Sequence, residues 1–283
     1  MPAVHACPQT SPQAVQAPAV EAGDKVGEYR DRLHAGGVEM LYQPIVDLRS
    51  TVAVKVEALA RLRLRDGRLL GPAEFLPSFG ASELGALFDQ GLRLSLGSVR
   101  AWAAMGVELG VCVNLPPVVL SDRRCVERVA DALRVHGVAP DRLELELLEH
   151  AFDQPAAQQA MLKRLRRLGV GLAMDDFGSG HSDMPRLRAV CFDTLKVDRE
   201  LTHRVARDGS AGGLTLLIRR LGQDVVAEGI EDLGSLRAAR SMGARFAQGY
   251  AIARPMRAEA VPGWVEAFDA ACLGRTARWS GAA

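Results

Sequence analysis

Little in this 283-residue sequence leans toward one sign of charge: 35 Lys and Arg stand against 34 Asp and Glu, a formal net charge of +1. That balance supplies no broad footprint for nucleic acid or an anionic membrane. The basic stretches at 163–169 and 204–209 accordingly read as the outer faces of amphipathic helices, and direct nucleic-acid binding is not expected. Cysteine is sparse as well. Cys7, Cys112, Cys125, Cys191 and Cys272 are odd in number and never form a Cys-x-x-Cys pair. This argues against a disulfide framework or a thiolate zinc site, and the expected setting is a reducing cytoplasm. No apolar run has the length needed to cross a bilayer. The first residues lack the basic head and unbroken apolar core of a signal peptide. No Gly-rich phosphate loop opens the first helical stretch, so a dinucleotide-binding doubly wound sheet has little support.

What the sequence does contain is alternation. Residues 1–25, rich in Pro, Ala and Gln, read as a flexible arm, 26–272 as one domain and 273–283 as a tail. Short apolar runs suited to strands occupy 40–48, 52–62, 110–115, 142–148, 169–176, 193–198, 223–229 and 245–250. Between them, apolar spacing of three and four predicts helices over 83–105, 122–136, 155–168, 200–221 and 232–242, a shorter one near 182–190 and a last one over 258–272. Gly106, Gly137, Gly169, Gly222 and Gly243 stand where left-handed helix stops are wanted. Eight strands, most followed by a helix, fit an α/β chain folded as a TIM-like (β/α)8 barrel. The first two strands are joined by a link of hairpin length, so that pair is expected to be antiparallel.

In such a barrel the chemistry gathers where the parallel strands end. Those ends carry Glu57, Asn114, Glu146, the adjacent pair Asp175 and Asp176, Lys196, Glu228 and Gln248. Each alone has an ordinary explanation, as a wet strand face, a turn or a solvated lysine. Pointing into one bowl, they form a hard set of oxygen donors, suited to Mg²⁺ or Mn²⁺ rather than to zinc or copper. Adjacent acids repel unless a cation lies between them. Asp175 could bridge two ions, Lys196 could orient a water, and Glu228 could take its proton.

The ordered stretches 42–48 (YQPIVDL), 56–61 (VEALAR), 113–115 (VNL), 143–149 (LELELLE), 175–180 (DDFGSG), 195–198 (LKVD), 226–231 (VAEGIE) and 248–250 (QGY) together resemble the motifs of the EAL domain family. That family comprises phosphodiesterases of the bacterial second messenger cyclic di-GMP. The resemblance implies hydrolysis of cyclic di-GMP to linear pGpG with two Mg²⁺ or Mn²⁺ ions. It implies Glu57, Asn114, Glu146 and Asp175 as ligands of one ion, with Asp175 and Asp176 on the other. Lys196 and Glu228 take the catalytic positions, and Gln43, Arg61, Glu231 and Gln248 the substrate-binding ones. Glu149 and His181 would support the ligands from beside them, and a homodimer through the face near the acid pair is a further expectation. Departures fall in supporting positions. Leu148 replaces a threonine, Pro116 a serine, and 178–184 reads GSGHSDM. They motivate the alternative of a catalytically weak protein that serves as a cyclic di-GMP receptor, or regulates virulence, motility or biofilm genes through a protein partner.

Overall fold

The computed structural model describes residues 22–148, 155–178, 192–209 and 212–273. Its strands are β1 (Val38–Asp47), β2 (Ala53–Arg63), β3 (Leu69–Leu70), β4 (Gly110–Asn114), β5 (Leu143–Leu148), β6 (Gly171–Phe177), β7 (Thr194–Val197), β8 (Asp224–Ala227) and β9 (Phe246–Ala247). From β2 through β4 to β9, neighbours along the barrel pair in parallel. Strand β1 closes the ring by running antiparallel to both β2 and β9. Strand β3 only flanks β2. The result is the expected closed eight-stranded barrel, with its first pair antiparallel across a turn in which Thr51 has φ +57°.

The helices are α1 (Ala22–His34), α2 (Pro72–Phe75), α3 (Ala81–Ala104), α4 (Pro117–Leu120), α5 (Cys125–His136), α6 (Pro155–Arg167), α7 (Arg199–Asp208), α8 (Gly212–Leu221), α9 (Leu233–Met242) and α10 (Val261–Leu273). All five glycines read as helix stops have positive φ, from +62° at Gly137 to +92° at Gly169. Two differences from expectation have local causes. The single helix expected over 200–221 is interrupted after Asp208, where Gly209 adopts φ +66° and caps α7. Helix α1 is absent from the helices read by apolar spacing, and it begins inside the stretch read as an arm. Residues 182–190, read as a short helix, lie outside the described residues. Among those described, no helix is long and apolar enough to cross a membrane.

Strand parity places the site. Side chains alternate across a strand, and in β5 Leu143, Leu145 and Leu147 join the large core between strands and helices. Glu144 and Glu146, between them, therefore face the barrel interior. In β7, Leu195 and Val197 pack outward by the same logic, and Lys196 turns in. Apolar filling of the interior is small, a cluster of Ile45, Cys112, Val226 and Phe246. At its lower end Lys55 Nζ meets Glu144 Oε1 at 2.7 Å, and Thr194 Oγ1 donates to Glu144 Oε2 at 3.1 Å. That pair is neutral as a unit, and it leaves the charge of the layer above uncompensated.

Candidate active site at the barrel mouth

In that upper layer one ammonium stands among four carboxylates. Lys196 Nζ lies 2.9 Å from Glu228 Oε1 and 3.0 Å from both Glu146 Oε1 and Asp175 Oδ1. Glu57 Oε2 is 3.4 Å away. The lysine side chain is 1% exposed and that of Glu146 0%. Burial alone would push the ammonium toward neutrality, but the surrounding carboxylates outweigh it and hold the Lys196 pKa well above its ordinary value. Burial also lifts Glu146 well above the usual carboxylate range, and Glu57 and Asp175 add to the rise.

Simple alternation along β6 would turn Asp176 away from Asp175. Two backbone features prevent it. The β6–β7 register shifts between Met174 and Phe177, and Asp176 itself has φ +58°. A bulge at a strand end re-aims side chains, and Asp is among the few residues that tolerate the left-handed region. As a result, carboxylate oxygens of Asp175, Asp176 and Glu228 lie within 4.8 Å of one another, a spacing that could hold a metal ion. Burial raises the Asp176 pKa, and Asp175 and then Asp198 raise it further. This packing of acids answers why a strand should end in two like charges. With Glu57 and Glu146 the cluster has five carboxylates and one ammonium, and Glu146 Oε2 is buried with no hydrogen-bond partner. Hard divalent cations fit both the donor set and the missing charge.

Glutamine side chains orient the rim. Gln43 and Glu57 are cross-strand partners on β1 and β2. Gln248 Nε2 donates to Glu57 Oε2 at 2.7 Å and to Gln43 Oε1 at 3.2 Å, while Gln43 Nε2 donates to Ala253 O at 3.0 Å. Gln43, Glu57 and Gln248, with Glu228, Glu231, Arg199 and Tyr250, line a cleft of about 190 Å³. Glycine keeps this end compact. A Cβ at Gly249 would collide with the Ile230 backbone.

The other expected residues stand around this cluster or outside the described residues. Asn114 ends β4 in register with Glu146 and is exposed. Arg61 is half-buried and donates to Ala60 O. Burial pushes its pKa down, against a smaller upward pull from Tyr250 and Glu57. Glu231 is on the cleft rim, paired with Arg199 at 3.0 Å. Glu149 and His181 lie outside the described residues. Arg199 was not anticipated, and its position directly after the Leu-Lys-Val-Asp stretch was the available signal.

Glu228 makes a pH prediction. Its side chain is 20% exposed through the cleft, with protein on all other sides. Burial, and repulsion from Asp175 and Glu57, outweigh the pull of Lys196 and push its pKa from 4.5 up to about 7. A carboxyl whose folded pKa is raised stabilises the fold most below its unfolded value, and that stability is lost as pH rises through the folded value. The metal-free protein should therefore lose stability between pH 4.5 and about 7. Urea unfolding in chelator across this range should show the fall, and saturating Mn²⁺ should flatten it. A metal-free stability that climbs through the same window contradicts the assignment.

Comparison with known proteins places this geometry. A family model described as EAL domain matches residues 26–255. The chain is 32% identical over 235 residues to the Pseudomonas aeruginosa protein named Cyclic di-GMP phosphodiesterase PA2567, covering 81% of this chain and 40% of the relative. It is 36% identical over 256 residues to Cyclic di-GMP phosphodiesterase NbdA of the same organism, covering 86% of this chain and 32% of that protein. The chain thus spans less than half the length of these relatives. Among solved structures, the one titled PaMucR Phosphodiesterase, c-di-GMP complex superposes with a TM-score of 0.76 at 28% identity, over 84% of this chain and 99% of that one.

Proposed function

We propose, from the premise that this chain belongs to the EAL domain family, that it is a divalent-metal-dependent phosphodiesterase hydrolysing cyclic di-GMP to linear pGpG. The observation that carries the reading is the convergence of Glu57, Glu146, Asp175 and Glu228 on Lys196, with Asp176 turned in beside them. The family membership and the names of the relatives supply the substrate. Residues 26–272 serve as the working unit, in the cytoplasm.

Glu57, Asn114, Glu146 and Asp175 would hold one Mg²⁺ or Mn²⁺, and Asp175 with Asp176 a second. When bound, the two ions make water more acidic and offset charge on the phosphodiester. The remaining steps belong to the chain. Gln248 holds Glu57 in place, and Gln43 fixes Gln248. Arg61, without a carboxylate at ion-pair distance among the described residues, meets a substrate phosphate. Glu228, on the cleft lining and 2.9 Å from Lys196, would accept the proton of the reacting water. As water oxygen bonds to phosphorus, its proton passes to a Glu228 carboxylate oxygen. The P–O3′ bond breaks, the leaving 3′ oxygen takes a proton from solvent water to become a hydroxyl, and Glu228 returns its proton to solvent. Lys196 would keep its charge and orient the water.

The test is incubation of the purified protein with cyclic di-GMP and Mn²⁺, products identified by mass spectrometry. Accumulation of pGpG is expected, with none in chelator. Saturable binding of the dinucleotide without turnover under any divalent metal would refute the enzyme and leave a receptor.

A further inference from the structure

Two ion pairs link the tips of β7 and β8, one behind the other. Lys196 pairs with Glu228 in the buried layer at 2.9 Å. Three residues further along each segment, Arg199 Nη2 pairs with Glu231 Oε1 at 3.0 Å on the surface. The segment between Glu228 and Glu231 is gripped elsewhere too. His203, one turn along α7 from Arg199, hydrogen-bonds Gly229 O through Nε2 at 2.8 Å. On the other side Ile230 N donates to Gln248 O at 3.0 Å. Gly229 has φ +68°, and a Cβ there would collide with the stem of Arg199. The arginine stem therefore lies directly against the backbone that follows Glu228.

We propose that Arg199 is a positioning residue for Glu228: its stem on Gly229 and its ion pair with Glu231 clamp the segment that aims the proton acceptor at the reacting water. The inference rests on the phosphodiesterase reading above. The outer pair contributes little to stability by itself, since its partners are 59% and 38% exposed and such pairs are weak in water. Its value is geometric, because a displacement of about 1 Å in a reacting group can cost on the order of a hundredfold in rate. Glu231, read from the sequence as a substrate-binding residue, becomes the arginine's anchor in this account.

Arg199→Ala, Arg199→Lys, Glu231→Ala and the double alanine variant test the clamp with Mn²⁺ and cyclic di-GMP. Arg199→Ala should lower kcat about ten- to a hundredfold, with KM for the dinucleotide, Mn²⁺ affinity and melting temperature unchanged. Arg199→Lys should recover most of the loss. The double variant should be no worse than the poorer single one, because both remove one clamp. Hydrogen exchange should quicken at the amides of Glu228 and Ile230 in Arg199→Ala. A rise in KM with kcat retained would make Arg199 a substrate contact and overturn the clamp, as would unchanged exchange. Should the wild-type protein show no turnover while exchange still quickens, the enzyme reading fails and the clamp stands as structure alone.

Discussion

Asp175→Asn is expected to abolish turnover while leaving the metal-free protein as stable as before, or more so. Asp175 sits within reach of Lys196 and beside Asp176, among oxygens close enough to share a cation. Asparagine keeps the shape of the side chain and removes one negative charge from a crowded group. Repulsion within the bowl therefore falls in the absence of metal. With metal, the proposed bridging oxygen is lost, and a deficit of about 4 kcal/mol in transition-state stabilisation is on the order of a thousandfold in kcat/KM. The opposing signs are the useful feature, because a variant that merely misfolded would lose both properties. Turnover with Mn²⁺ and melting in chelator check it. Activity within tenfold of wild type would remove Asp175 from the catalytic set.

Lys196→Met should behave the opposite way. Breaking a buried charge constellation by removing one partner costs about 3–5 kcal/mol, and here a single ammonium faces four carboxylates with 1% of its own surface exposed. The metal-free variant should unfold at much lower temperature than wild type. Saturating Mn²⁺ should close most of that gap, because the variant's uncompensated carboxylates should bind the cation more tightly than wild type does, and a ligand that binds only the folded state stabilises it with the logarithm of its affinity. Turnover should remain low even then, since the ammonium proposed to orient the water is still missing. Calorimetry with and without Mn²⁺ separates these terms. An equal loss of stability in both conditions would show Lys196 to be an ordinary packing residue.

Eight short apolar runs alternating with amphipathic stretches, together with glycine stops, made the barrel legible in the sequence. Leu143, Leu145 and Leu147 mark one face of β5, so Glu144 and Glu146 must take the other, and helix ends at Gly106, Gly137 and Gly243 follow from conformational preference. Parity also explains why acids at successive strand tips could meet. It does not tell how Asp176 joins them, because that depends on a register shift and a positive φ at one residue. The Gln43–Gln248–Glu57 chain and the hub role of Lys196 depend on which strands become neighbours after closure. Linear spacing holds no such information. Arg199 follows the Leu-Lys-Val-Asp stretch directly, but its partner Glu231 and the glycine beneath it belong to the next strand's tip, which that position alone does not reveal. The break in the helix expected over 200–221 had a visible cause in Gly209, but an isolated glycine in an amphipathic run is often tolerated.

Diffraction from crystals soaked in Mn²⁺, recorded for the anomalous signal, decides whether the carboxylate bowl holds metal. Two manganese peaks about 3.5–4 Å apart are expected at the barrel mouth, with Asp175 reaching both, Glu57 and Glu146 on one and Asp176 on the other. Peaks found only on the outer surface, with the Glu146 and Asp175 carboxylates still closed around Lys196 at saturating metal, would contradict that expectation.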